Sequence, residues 1–292
     1  MKNIIEKMKY IGALLLLSAV FFSACEKETD TGNSGRNTDL SAVPSKSAVS
    51  SVPNISAEIS TPSATLSPTA PASFVTPDLP APVVIVLDPG HGGIFSGATY
   101  DGRVEKEMTL IVAQYVKEYL ESNYDNVTVF LTRDTDIDLG KDLAKELEQR
   151  AVIAKEKEAD ALISLHFNAS DRHNANGTAV YISRRSNVNA PAKELATDIL
   201  TELAALGIAP NGVLTRASDD MFDENNEAYD YYAINRHCAN RDLIGIIVEH
   251  CFMDNATDIP FLATEEALRA LASADAKGIA EYFSLHRKNG GL

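Results

Sequence analysis

Val83-Val-Ile-Val-Leu-Asp-Pro-Gly-His-Gly-Gly93 is the stretch on which the reading of this chain turns. Its five apolar, mostly β-branched residues predict a strand buried on both faces, and Asp88-Pro89-Gly90 then breaks the strand with turn chemistry. His91 is thereby presented just beyond the strand end. Gly90, Gly92 and Gly93 put no side chains beside it, so a metal ion and a polymeric substrate can come close to the backbone. Taken alone, a histidine in a tight turn reads first as a polar, exposed residue. The reading therefore depends on whether further ligands converge on the same place.

Working outward, Glu105 to Glu121 repeats apolar residues at Met108, Ile111, Val112, Tyr115 and Tyr119, the face of a helix. Val127 to Leu131 predicts a strand, Asp142 to Glu158 a helix, and Ala161 to His166 a strand. Another strand is expected at Thr178 to Ile182, and a helix from Pro191 to Leu206. Asn211 to Asn240 is polar and without a clear period. Leu243 to Val248 predicts a strongly apolar strand, and Glu265 to Phe283 closes the chain as a helix. Strands alternating with helices imply crossover connections. The expected fold class is α/β: a single domain with a mostly parallel, twisted sheet covered by helices on both faces.

Open α/β sheets bind ligands beyond the carboxyl ends of their strands. His91 follows the first strand, His166 ends a later one, Glu249 ends the last, and Glu105 begins the helix returning from the His91 loop. All four should meet at one edge. Two neutral imidazoles and one carboxylate make a catalytic zinc set with a position left for water, whose pKa the metal lowers to about 7. A second carboxylate outside that set takes the water's proton and passes it to a leaving nitrogen. We assign His91, Glu105 and His166 to Zn2+ and Glu249 to the acid–base role, a constellation suited to amide hydrolysis.

The motifs Val86-Leu-Asp-Pro-Gly-His-Gly-Gly93, Gly97-Ala98, Glu105-Lys-Glu-Met-Thr-Leu110, Ser164-Leu-His-Phe-Asn-Ala169, Gly177 with Val180-Tyr181, and Ile247-Val-Glu-His-Cys-Phe-Met-Asp-Asn255 together resemble the zinc-dependent N-acetylmuramoyl-L-alanine amidases of the Amidase_3 family. The resemblance covers about residues 83 to 285. It implies that His91, Glu105 and His166 are zinc ligands, that Glu249 is the catalytic glutamate, and that the substrate is peptidoglycan. The bond cut would join the lactyl carbonyl of N-acetylmuramic acid to the first L-alanine of the stem peptide. Glu107 is a rival ligand, but the spacing of Glu105 to Leu110 matches the family's helix start. The chain departs from the family at His250-Cys251 and Met253-Asp254-Asn255, where a small residue and Leu-Ser-Asn are common. Strand alternation points His250 away from Glu249, so it is read as a packing or surface residue.

The rest of the chain bounds the setting. A net charge of −15 without a basic patch argues against nucleic acid as a partner. Lys2, Lys7 and Lys9 precede an apolar run, Ile11 to Phe22, too short to span a bilayer comfortably, so residues 1–25 read as an export signal. Phe22-Ser-Ala-Cys25 resembles a bacterial lipobox, which implies a lipid on Cys25 as the membrane contact; cleavage of an ordinary signal near Ala24 is the other reading. Residues 26–81 are rich in Ser, Thr, Pro and Ala and read as a disordered tether averaging on the order of 40 Å end to end. The catalytic domain is expected over 82–292, lipid-anchored outside the cytoplasm and facing the cell wall. Elsewhere, His173 reads as an exposed loop residue near the cleft, Asp88 and Asn168 as loop-ordering residues, and Arg133 and Arg241 as structural or as holding stem-peptide carboxylates. The acidic stretch from Asp219 to Glu227 either rims the cleft or is simply solvated. Three cysteines are too few for a disulfide scaffold, and Cys238 and Cys251 are either paired or free. The sequence leaves the oligomeric state open.

Overall fold

The computed structural model describes residues 82–288; the signal at 1–25 and the tether at 26–81 lie outside the described residues. In chain order the strands are β1 (Val83–Pro89), β2 (Thr99–Tyr100), β3 (Arg103–Val104), β4 (Val127–Leu131), β5 (Ala161–Asn168), β6 (Thr178–Ile182), β7 (Pro210–Leu214), β8 (Ala217–Phe222), β9 (Ala228–Asp230) and β10 (Ile244–Phe252). The helices are α1 (Glu105–Asn123), α2 (Leu143–Glu156), α3 (Asn189–Ala205), α4 (Ala233–Ala239) and α5 (Glu265–Tyr282). Six strands form one sheet in the order β4-β1-β5-β10-β6-β7.

β4, β1, β5 and β10 run parallel, so their carboxyl ends share one edge. β6 is antiparallel to β10 and parallel to β7. The sheet is thus mostly parallel, as expected, with one reversal between its two halves. Alternation sorts the side chains between two cores. Ile85, Leu87, Ile163, Leu165, Ile246 and Val248 pack with residues of α1, α3 and α5, among them Val112, Leu195 and Leu271. Val86, Leu162 and Ile247 pack on the other face with Ala151 and Ala154 of α2 and Ile234 and Cys238 of α4. Burying β1 on both sides is what its unbroken apolar run specifies.

Helix limits follow from capping. Asp142 is non-helical and caps α2, its side chain accepting from the Lys145 N–H at 2.9 Å, so the helix begins at Leu143. Thr264 caps α5 in the same way through the Ala267 N–H. Two strand ends differ from those expected. β10 does not stop at Val248 but runs through Glu249 to Phe252, and β5 runs on to Asn168. The polar stretch 211–240 is ordered into β7, the β8–β9 hairpin and α4. A polar tie holds β9 here: buried Asp230 accepts from Ser183 Oγ at 2.6 Å and from the Arg184 N–H at 2.8 Å.

Candidate active site

Beyond Pro89 the chain turns sharply, and His91 takes a left-handed conformation at φ 61°. Such a backbone costs a non-glycine residue of order 1 kcal/mol or more and persists only where the surroundings hold it. Two buried arginines do so. Arg133 Nε donates to His91 O at 2.8 Å and Arg150 Nη2 donates to the same oxygen at 2.7 Å. Arg133 also donates to Gly90 O at 2.9 Å and Arg150 to Pro89 O at 2.9 Å. Asp88, fully buried, completes the support: it pairs with Arg150 at 2.7 Å and accepts from Thr132 Oγ1 and Ser164 Oγ, each at 2.6 Å. Burial alone would raise the Asp88 carboxyl, but the Arg150 charge and the two hydroxyls hold it below the ordinary aspartate range.

Glu105 opens α1 at the edge where β1 and β5 end. Its Oε2 lies 3.1 Å from His91 Nε2 and its Oε1 lies 3.0 Å from His166 Nδ1. The same carboxylate accepts the Ala98 N–H at 2.8 Å and the Phe167 N–H at 3.1 Å, which fixes its orientation. The imidazoles of His91 and His166 meet edge to face with centroids 4.9 Å apart. One ligand-type atom from each of the three residues can be chosen so that all lie within 4.8 Å of one another. Burial pushes the Glu105 carboxyl up, yet the two histidines beside it bring it well below its usual range. Burial lowers the His166 imidazole. These directions favour the carboxylate form of Glu105 and the neutral ring of His166, the forms in which such groups bind metals.

Glycines clear the space. A Cβ on Gly90 would lie 2.4 Å from His166 Cε1, and one on Gly97, at φ 68°, would lie 2.5 Å from Glu105 Oε2 and 2.6 Å from His91 Cδ2. Glu249 of β10 is the register partner of His166. Among the described residues its buried Oε2 has no hydrogen-bond partner. Burial, with the Glu105 charge second, pushes its carboxyl well above the usual glutamate range.

The remaining residues singled out in the sequence fall elsewhere. Glu107 is exposed on α1. His173 is exposed in the loop after β5, its ring 5.4 Å from that of Tyr100 and its Nδ1 2.6 Å from Asp254 Oδ2. Arg133 is spent on loop carbonyls and Arg241 pairs with Glu148 at 3.3 Å, so the structural reading holds for both. Cys238 and Cys251 are free thiols in different cores on opposite faces of the sheet. His250 is fully buried on the face away from the cleft, which excludes the surface alternative. Two supports were not picked out from the sequence: the Glu146–Arg150 pair, at 2.7 Å, and Asp275. The signal for the first was a charged i, i+4 pair on the same stripe of α2 as Leu147, Ala151 and Ala154.

An α/β sheet that carries at its carboxyl edge a His–Glu–His cluster able to hold a metal ion, with the unpartnered Oε2 of Glu249 on the neighbouring strand, has the layout of a hydrolase site. Residues 85–281 match the Amidase_3 family, N-acetylmuramoyl-L-alanine amidase, and the chain belongs to it. It is 31% identical over 210 residues to an endolysin of Bacillus phage SPP1, covering 71% of this chain and 69% of that protein. Among solved structures, Cwp6 from Clostridium difficile superposes with a TM-score of 0.59 at 32% identity, over 69% of this chain and 29% of that one. The catalytic domain of CwlV, an N-acetylmuramoyl-L-alanine amidase from Bacillus (Paenibacillus) polymyxa var. colistinus, gives a TM-score of 0.57 at 26% identity, over 70% of this chain and 99% of that one.

Proposed function

We propose that the chain hydrolyses the amide between N-acetylmuramic acid and L-alanine in peptidoglycan, outside the cytoplasm, with zinc held by His91, Glu105 and His166 and with Glu249 as the acid–base residue. The observation that carries this reading is the bridging of two histidines, from separate strand ends, by one Glu105 carboxylate. The donor set fits the ion. It offers two imidazole nitrogens and a carboxylate in a pocket cleared by Gly90 and Gly97, the mixture that catalytic zinc takes.

When bound, zinc supplies Lewis acidity toward the scissile carbonyl and toward water. Glu249 accepts a proton from the attacking water as the oxygen joins the lactyl carbon. It returns that proton to the alanine nitrogen as the C–N bond breaks, giving a free carboxylate on muramic acid and a free amine on the stem. Burial raises the Glu249 carboxyl, which favours its holding the proton between the two transfers. The orphaned Oε2 of Glu249 leaves an oxygen free to do so. Arg133, Arg150 and Asp88 hold His91 in place and touch no reacting atom.

Purified protein incubated with muropeptides should release intact stem peptides with a free alanine amine, read by mass spectrometry. Masses showing only cuts within the peptide, or loss of acetyl groups, would assign a carboxypeptidase or a deacetylase instead. Glu249→Gln should keep zinc and lose turnover; loss of zinc with no turnover in the parent protein would mark a four-ligand structural site in a wall-binding or regulatory lipoprotein. An acyl group on Cys25 and the tether 26–81 would hold the catalytic domain, 82–292, at the membrane facing the wall. Incorporation of labelled fatty acid that disappears in Cys25→Ala tests this.

A further inference from the structure

β5 and β10 pair in register from Ile244 opposite Ala161 to Glu249 opposite His166, and then the ladder slips: the next partners are Phe252 and Asn168. His250 and Cys251 therefore stand opposite Phe167 alone, a β-bulge immediately beyond the two residues assigned to the chemistry. Bulges re-aim neighbouring side chains, and an unsupported one is a place where two strands shift relative to each other. Here a side chain spans the irregularity. His250 Nδ1 lies 3.0 Å from His166 O, and because a carbonyl only accepts, Nδ1 is the donor. On the other side of the ring, His250 Nε2 lies 2.7 Å from Asp275 Oδ2 on α5. The ring also packs on Phe167, with centroids 5.2 Å apart.

This arrangement is expensive as packing. His250 and Asp275 are both fully buried in the core formed by α1, α3 and α5, and Asp275 Oδ1 has no hydrogen-bond partner among the described residues. Buried ionic pairs are commonly matched or bettered in stability by apolar residues of the same volume. Stability alone would favour such a replacement. What an apolar pair lacks is a directed hydrogen bond to the His166 carbonyl.

Resting on the function proposed above, we propose that His250 and Asp275 are positioning residues: Asp275 orients the His250 imidazole, and its Nδ1–H fixes the His166 backbone across the bulge, setting His166 relative to Glu249. The pair reaches the site from the opposite face of the sheet and touches neither substrate nor ion. It continues the principle seen at metal centres, where groups behind the ligands set their orientation.

The test uses the full chain with Asp275→Asn, which keeps shape, and the double variant His250→Leu/Asp275→Leu, which removes the buried polar atoms. Zinc affinity is read by competition with a chromophoric chelator, thermal stability by calorimetry, and turnover on muropeptides as separate kcat and KM. We expect zinc binding to weaken about tenfold in both variants. kcat should fall by a similar factor at unchanged KM, while the double variant melts at or above the parent temperature. A double variant that is as stable as the parent and has parental zinc affinity and kcat would overturn the proposal. If the parent protein shows no amidase turnover, the reading of function fails, yet zinc affinity still decides this one: a tenfold loss sustains the fixing of His166, and no loss removes it.

Discussion

Glu105 bridges His91 and His166, one carboxylate oxygen on each ring, at 3.1 Å to His91 Nε2 and 3.0 Å to His166 Nδ1. The three side chains thus share a single electrostatic unit built from the end of β1, the start of α1 and the end of β5. Glu105→Gln removes the negative charge that two imidazole nitrogens face. Zinc affinity should fall by about 100-fold or more, since even groups behind the ligands are worth 10- to 100-fold. Metal content after dialysis checks this, and a variant that retains stoichiometric zinc would remove Glu105 from the ligand set.

The crowding of Gly90 against His166 gives a subtler perturbation. A methyl group there would sit 2.4 to 2.7 Å from Cε1, Nε2 and Nδ1 of the ring, so Gly90→Ala must displace the imidazole. We expect a folded protein with an unchanged circular dichroism spectrum and about tenfold weaker zinc binding. Parental affinity would mean that the ring moves without cost and that this glycine is not part of the pocket.

Arg150 anchors the loop from beneath, paired at 2.7 Å with both Asp88 and Glu146. Arg150→Met leaves those carboxylates buried without a counter-charge, which costs about 3–5 kcal/mol. For a domain of this size the melting temperature should drop by about 10 °C. Calorimetry decides; a loss of under about 3 °C would show that the loop has other supports.

Asp88 also sets an acid limit. Its folded pKa is depressed, so its contribution to stability is complete above the unfolded value of about 3.9 and is lost as pH falls toward and through the folded value. The parent protein should lose stability below about pH 4, and Asp88→Asn should be less stable at pH 7 but show a flatter acid limb. Urea midpoints measured from pH 3 to pH 7 test the sign. An acid limb equally steep in both proteins would assign the loss to other carboxylates.

Cys238 and Cys251 are buried, and burial pushes both thiols up. Neither should react with a thiol reagent in the native protein within minutes, and both should react once urea unfolds it. Mass spectrometry of labelled peptides reads this position by position; a disulfide between them, cleaved by reductant, would contradict their placement on opposite faces of the sheet.

Sequence alone determined the strand β1, the turn after it and the edge at which His91, Glu105, His166 and Glu249 collect. The physical reason is that burial on both faces writes itself as a continuous apolar run, and parallel strands place successive turn residues at one end. The apolar period likewise gave α2, expected from Asp142, although the structure makes Asp142 the cap and starts the helix at Leu143. What only the tertiary structure decided was how those residues are held. The reversal of β6 against β10, the tie of Asp230 to Ser183, the two arginines on the His91 carbonyl and the His250–Asp275 pair behind His166 all join residues distant in the chain through polar contacts. A polar bond between two such residues leaves no periodicity in either segment, whereas a buried apolar face marks every turn of the helix or strand that carries it.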